Sequence, residues 1–163
     1  MVRVNKGKAM RLTTKGRFAV TAMLDLALQE NNHPISLHAI SERQHISLSY
    51  LEQLFSKLRR AGLVGSIRGS HGGYILGKTA KDISVAAIIE AVDESIDNTK
   101  CYGRKDCHGP KQCCITHDLW ISVNHVINHH FTHIYLADLV ENHQQNNIEN
   151  SNIFGHLQAQ QLS

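Results

Sequence analysis

No stretch of this 163-residue chain approaches the roughly 18 uninterrupted apolar residues of a membrane-spanning helix. Its first residues also lack the apolar core of a secretion signal. A cytoplasmic protein with no membrane partner is therefore expected. Catalytic signatures are missing as well: there is no phosphate loop, no nucleophile elbow and no convincing pair of carboxylates. The chain is not expected to be an enzyme. Thiols are absent from both ends, because all four cysteines fall between positions 101 and 114.

Charge is present but unevenly spread. Residues 1–78 hold 12 Lys or Arg against 4 Asp or Glu, whereas residues 79–163 hold 5 against 10. A basic half joined to an acidic half suggests a polyanion-binding module with a separate regulatory or assembly part.

Periodicity along the basic half has a recognisable order. From about Thr14 to Glu30, "TKGRFAVTAMLDLALQE" is apolar around most of its circumference, so the helix is buried on more than one side, within the molecule or at a dimer contact. Ser36 can cap a short helix, "LHAISERQ". After the turn at "HIS", Leu51, Leu54, Phe55 and Leu58 form one stripe of a second helix. Ser47 or Ser49 can cap it, the latter at capping-box spacing from Glu52, and Gly62 fits the stop position. "LVGSIRG" and "GYILG", joined by "GSHGG", then read as a hairpin. Helix, turn, helix and hairpin make a winged helix-turn-helix in a mainly α fold, and "SVAAIIEAVDES" adds a further helix.

In such a unit the second helix enters the major groove, which brings Ser47, Ser49, Tyr50, Glu52 and Gln53 towards base edges. Gln can pair with adenine, and Glu can accept from the cytosine amino group. Lys57, Arg59 and Arg60 would follow the phosphate backbone, as would Lys15 and Arg17. Arg68, near the hairpin tip, would reach a minor groove.

The acidic half opens on "CYGRKDCHGPKQCCITH", Cys101 to His117. Thiolates with an imidazole suit tetrahedral zinc or an iron-sulfur cluster. No knuckle of two cysteines two to four residues apart occurs, which argues against structural zinc. A disulfide switch would leave His117 unexplained. Beyond it, Leu119, Trp120, Val123, Val126 and Ile127 form an apolar face on a helix far from the core, which needs a partner. A short helix through Leu136 and Leu139 follows. His125, His129, His130 and His133 read as an exposed helical face.

On "RLTTKGRFAVTAMLDLAL", "ISERQHISLSYLEQLFSKLRRAGLV", "IRGSHGGYILGK", "AVDES" and the cysteine loop, the chain resembles the IscR family of iron-sulfur cluster regulators from about Met10 to Val140. The resemblance implies a homodimeric transcription factor, activator or repressor, that binds double-stranded DNA operators of cluster-assembly genes. It also implies a 2Fe-2S cluster held by three cysteines and a histidine, with the cluster-assembly machinery as donor. By position, Cys101, Cys107 and His117 match three ligands. For the third cysteine, Cys113 keeps the family's five-residue interval from Cys107, and Cys114 keeps its two-residue interval to His117. Cys114 is preferred because an i, i+3 pair with His117 suits the start of a helix. Ser49, Tyr50, Gln53 and Arg68 match the family's DNA-contacting positions, Glu52 its selectivity acid, and residues 118–131 its dimerisation helix.

The expected organisation is a flexible basic leader at 1–9, with Met1 and Met10 both candidate starts. A regulator at 10–140 includes the cluster loop 93–117, and a polar, disordered tail fills 141–163. A zinc- or thiol-redox-dependent DNA-binding repressor is the alternative function. An iron-sulfur carrier is a further one, although a carrier would not need a basic reading helix.

Overall fold

The computed structural model describes residues 14–29, 33–69, 71–93 and 115–147. The leader, all four cysteines and the chain beyond 147 lie outside the described residues.

Helix α1 (Thr14–Gln29) is the spine of the core. Ala19, Ala22, Met23 and Leu26 are fully buried in one cluster with residues of the other helices, so its wide apolar surface is satisfied largely within the molecule. Burying a large apolar side chain in this way contributes about 1.5–3 kcal/mol relative to exposure. Helices α2 (Leu37–Gln44) and α3 (Leu48–Arg60) both pack on α1. Ser36 caps α2, its Oγ accepting from the Ala39 N–H at 3.2 Å. Leu51, Leu54, Phe55 and Leu58 are all buried, as their spacing requires.

Two details of the turn between α2 and α3 differ from the sequence reading. Ser47 is the residue before α3 and makes no side-chain cap, while Ser49 already lies inside the helix, so the Ser49–Glu52 capping box does not form. The turn is held instead by the Ser41 hydroxyl, which donates to the Ile46 carbonyl at 2.6 Å. His45 passes through left-handed backbone, φ 54° and ψ 37°. A residue with a Cβ pays about 1–2 kcal/mol there. His45→Gly is therefore expected to stabilise the protein by about 1 kcal/mol, offset in part by the greater freedom of glycine in the unfolded chain. Thermal unfolding of the pair would check it.

The wing is an antiparallel hairpin of β1 (Val64–Ile67) and β2 (Gly73–Leu76), with Val64 opposite Leu76 and Ile67 opposite Gly73. A third strand contact was not foreseen. Ile35 exchanges two backbone hydrogen bonds of 2.8 Å with Tyr74, tying the wing to the segment just before α2. A Cβ on Gly73 would stand 2.6 Å from the Ile35 carbonyl oxygen, so only glycine lets the two backbones approach.

A 3-10 turn (Ala80–Asp82) leads to α4 (Val85–Ala91), capped by Ser84, whose Oγ accepts from the Ala87 N–H at 3.2 Å. Helix α4 is shorter than the amphipathic run suggested and packs chiefly on α1. Helix α5 (His117–Thr132) extends the expected dimerisation helix by one residue at each end. A further helix, α6 (136–147), begins where the Ser84–Tyr135 bridge docks this part of the chain onto the start of α4. The Tyr135 N–H donates to Asp138 Oδ2 at 2.8 Å, closing one turn of the α6 N-terminus. Residues 141–147, where the polar tail was expected to begin, continue this helix. Among the described residues no helix is long and apolar enough to cross a membrane.

Candidate nucleic-acid interface and ligand loop

The outer face of α3 is open. Ser49, Glu52, Gln53, Ser56, Lys57 and Arg60 line a shallow groove of about 480 Å³ along it. Ser49, Glu52, Gln53, Arg59 and Arg60 are exposed, so donors and acceptors of both kinds face outward next to fixed positive charge. Tyr50 behaves differently from its neighbours. Its half-buried ring meets Phe18 edge-on, centroids 5.9 Å apart at 82°, and seats the first turn of α3 on α1. Arg59 extends a guanidinium N–H towards Ser66 Oγ at 3.4 Å, on the first wing strand. Arg68 is exposed between the end of β1 and Gly69, whose φ of 129° suits glycine. The Gly72 N–H donates to the Gly69 carbonyl at 3.0 Å and closes the tip.

What fastens α2 to α1, ahead of the turn into α3, was not visible in the sequence. Asp25, on α1, is 4 % exposed. It accepts from Arg43 Nε at 3.0 Å and Nη2 at 2.7 Å, and from Gln44 Nε2 at 2.7 Å. A carboxylate so placed needs donors, and the two last residues of α2 supply three of them. The hydrogen bond it donates to Asp25 is the main reason the Arg43 guanidinium is held above its ordinary pKa. The only sequence signal was an acid inside an apolar helix.

Lys57 is not a free cation. Its Nζ lies 2.6 Å from Oδ2 of Asp93, the last described residue before the cysteine segment, which itself has a positive φ of 54°. This hydrogen bond raises the Lys57 pKa and lowers that of Asp93. A depressed carboxyl and a raised amine both favour the paired, charged state across the neutral range. On the acid side its contribution is present above the carboxyl's unfolded value and is lost as pH falls through the lower folded one. Asp93 is largely exposed and Lys57 half-buried, so the pair adds little to stability. Its interest lies in position, because it joins the open face of α3 to the last described residue before the cysteine segment. Asp93→Asn is expected to release Lys57, steepening the salt dependence of DNA binding by about one phosphate equivalent in a log–log plot of affinity against salt.

The described chain resumes at Ile115, and His117 is the first residue of α5. His117 is 6 % exposed and, with Asn124 seven residues on, belongs to the buried side of the helix. Cys101, Cys107, Cys113 and Cys114 lie outside the described residues, and among the described residues no three potential ligands converge on a point. The opposite side of α5 carries the expected apolar face. Leu119 and Val126 are 57 % and 67 % exposed, and Trp120 is also exposed, while Val123 and Ile127 are half-buried.

Comparison with known proteins agrees with this geometry. The family model Rrf2, described as an iron-dependent transcriptional regulator, matches residues 12–142. The HTH-type transcriptional regulator IscR of Erwinia tasmaniensis is 57 % identical over 135 residues, covering 83 % of this chain and 81 % of that protein. That of Serratia proteamaculans is 57 % identical over 133 residues, covering 82 % and 80 %. Among solved structures, T. potens IscR superposes with a TM-score of 0.69 at 38 % identity, covering 83 % of this chain and 90 % of that one. CymR, the global cysteine regulator of B. subtilis, gives 0.68 at 34 % identity, covering 80 % and 96 %. The winged-helix reading and the IscR resemblance both stand, and the chain belongs to the Rrf2 family of iron-dependent transcriptional regulators.

Proposed function

We infer that this regulator acts as a homodimer on DNA operators of iron-sulfur assembly genes, and that a 2Fe-2S cluster on Cys101, Cys107, Cys114 and His117 sets its operator preference. The observation that carries this reading is the join between two sites. Asp93, where the ligand loop leaves α4, is ion-paired at 2.6 Å with Lys57 of the open reading face.

On DNA, Gln53 and Glu52 would meet base edges, with Ser49 and the Tyr50 hydroxyl fixing register. Arg59 and Arg60 would follow the backbone, with Lys57 joining them as it leaves Asp93, and Arg68 would enter the minor groove. Glu52 is the selectivity element, since a carboxylate near phosphate is repelled unless a cytosine amino group faces it. The exposed stripe of α5 would pair with a second copy, giving two reading helices for two half-sites.

The donor chemistry fits a cluster. Soft thiolates suit iron-sulfur centres, and an imidazole can replace a thiolate on one iron. His117, buried at the first position of α5 and three residues after Cys114, is a neutral donor held by the fold. Such a cluster, when bound, would supply iron that oxidant, acid or scarcity can remove. A neutral imidazole holds iron less strongly than an anionic thiolate, so His117 is the ligand most prone to let go. Its release would free α5 and the loop, and through Asp93 the hold on Lys57. A donor from the cluster-assembly machinery and a cytoplasmic setting follow from the same reading.

Anaerobically purified protein should be coloured, and its gel shift on at least one operator should change with chelator. Colourless, zinc-containing protein, or equal affinity of both forms for every operator, would overturn the reading. Cys114→Ala should abolish the visible absorption while Cys113→Ala retains it; the reverse outcome would move the ligand to Cys113.

A further inference from the structure

The first 17 residues hold six Lys or Arg and no Asp or Glu, whereas the other 146 hold eleven against 14. Four of the six, Arg3, Lys6, Lys8 and Arg11, precede both α1 and the described residues. The match to the Rrf2 family begins only at residue 12. The docking of α3 proposed above makes no use of these four cations.

What the fold does settle is where they are tethered. Thr14 starts α1, and Phe18, one turn on and about 6 Å along the axis, meets Tyr50 of the first turn of α3 edge-on. The chain ahead of Thr14 therefore leaves within a helical turn of the proposed reading surface. Lys15 adds to the pull that Lys57 exerts on the Asp93 carboxylate, and Arg17 is exposed. The first turn of α1 has no acid to offset this pair. Cations at a helix N-terminus oppose its dipole, so the stability of α1 does not account for them. A polyanion lying across this end of the molecule does.

Reach is sufficient. From Thr14 the chain spans at most about 20 Å back to Lys8 and about 40 Å back to Arg3. A B-DNA major groove is about 12 Å wide, so Arg3, Lys6 and Lys8 can pass the groove that α3 would occupy and meet the phosphates flanking it.

We propose that residues 1–11 form a basic arm on double-stranded DNA, with Arg3, Lys6, Lys8 and Arg11 against phosphates that flank the segment read by α3. The inference rests on the docking of α3 proposed above. Contacts of this kind carry no sequence information, so the arm tightens binding to every duplex alike and leaves discrimination to α3 and the wing. Each contact releases counterions, which makes the gain largest at low salt.

The test is a titration of affinity against salt with the full chain, on a promoter duplex of iron-sulfur assembly genes and on a duplex of random sequence. Arg3→Gln, Lys6→Gln and Lys8→Gln combined should weaken both complexes by about tenfold or more near 50 mM salt, and lower the log–log slope by up to about three phosphate equivalents per chain. The difference should close as salt rises, and the ratio of the two affinities should not move. Arg3→Lys, Lys6→Arg and Lys8→Arg combined should restore affinity and slope. All three positions precede the described core, so the thermal midpoint should be unchanged in both variants. An unchanged slope in the Gln variant would overturn the arm. A gain in affinity would also overturn it, placing the arm on the acidic half of its own chain, and a loss confined to the promoter duplex would overturn its indifference to sequence. Gln53→Ala keeps the two readings apart, since it should weaken the promoter complex alone and leave the slope as it is. If Gln53→Ala altered neither complex, the docking of α3 would fail, while the slope of the Gln variant would decide the arm by itself.

Discussion

Leu119→Asp combined with Val126→Asp is expected to yield a monomer that still folds and has lost at least about a hundredfold in operator affinity. Both side chains are more than half exposed, so aspartate there disturbs no packing within the chain. On the proposed dimer they would lie against a second copy of α5, where burial of each contributes up to about 1.5–3 kcal/mol. Two carboxylates per chain at that seam would be desolvated without partners, which costs more still. The effect on DNA is larger than on either half-site alone, because linked modules bind the second half-site at high effective concentration. Separating them removes that gain, which is typically about 10²–10⁴-fold. Sedimentation velocity would read the mass and a salt-controlled gel shift the affinity. A dimer that persists in the double variant would place the interface elsewhere.

Arg43→Ala should be the most destabilising single change at a charged position, by about 2–4 kcal/mol. Breaking a buried pair from one side costs about 3–5 kcal/mol. The figure is lowered here because the Arg43 side chain is 36 % exposed and some of its partnership is screened. What remains is a carboxylate that is 4 % exposed and left with Gln44 alone. In a chain of this length each kcal/mol moves the midpoint by about 2–4 °C, so a fall of roughly 5–15 °C is expected. Asp25→Asn should cost less, since its amide still accepts one hydrogen bond and the guanidinium can turn to water. If Asp25→Asn proved the more damaging of the two, the lock would depend on the carboxylate's charge rather than on its burial.

The helices were readable because each repeats a core contact every three or four residues. Leu51, Leu54, Phe55 and Leu58 needed only one pattern, and all four are buried. The features that fix α2 and the wing carry no period. Asp25 and Arg43 are 18 positions apart, and Ile35 meets Tyr74 through a single bridge, so neither leaves a local trace. The Ser49–Glu52 box misled because the spacing is local while the helix start is set by the turn before it, and Ser47 takes that place. Residues 141–147 looked unable to order themselves by their polarity. Their helix continues one begun by buried Leu136 and a bond from the Tyr135 N–H to the Asp138 side chain, so it did not have to nucleate alone. Of the proposed reading positions, Ser49, Glu52, Gln53, Arg60 and Arg68 are exposed, whereas the seated ring of Tyr50 and the pairing of Lys57 depend on α1 and Asp93.

Tyr74 fastens the second wing strand at two points. Its backbone is bonded to Ile35 ahead of α2, and its ring meets Phe55 of α3 edge-on, with centroids 4.9 Å apart. The hairpin base therefore cannot swing independently of the helix it flanks. On the proposed docking, Arg68 and Gln53 become fixed marks on one ruler. An extra base pair inserted between the two DNA segments they would touch shifts one by about 3.4 Å and turns it by about 35° relative to the other. No rotation of the wing can follow that. On the proposed docking, operators for such a protein could drift by base substitution, but their length would be pinned by the tyrosine.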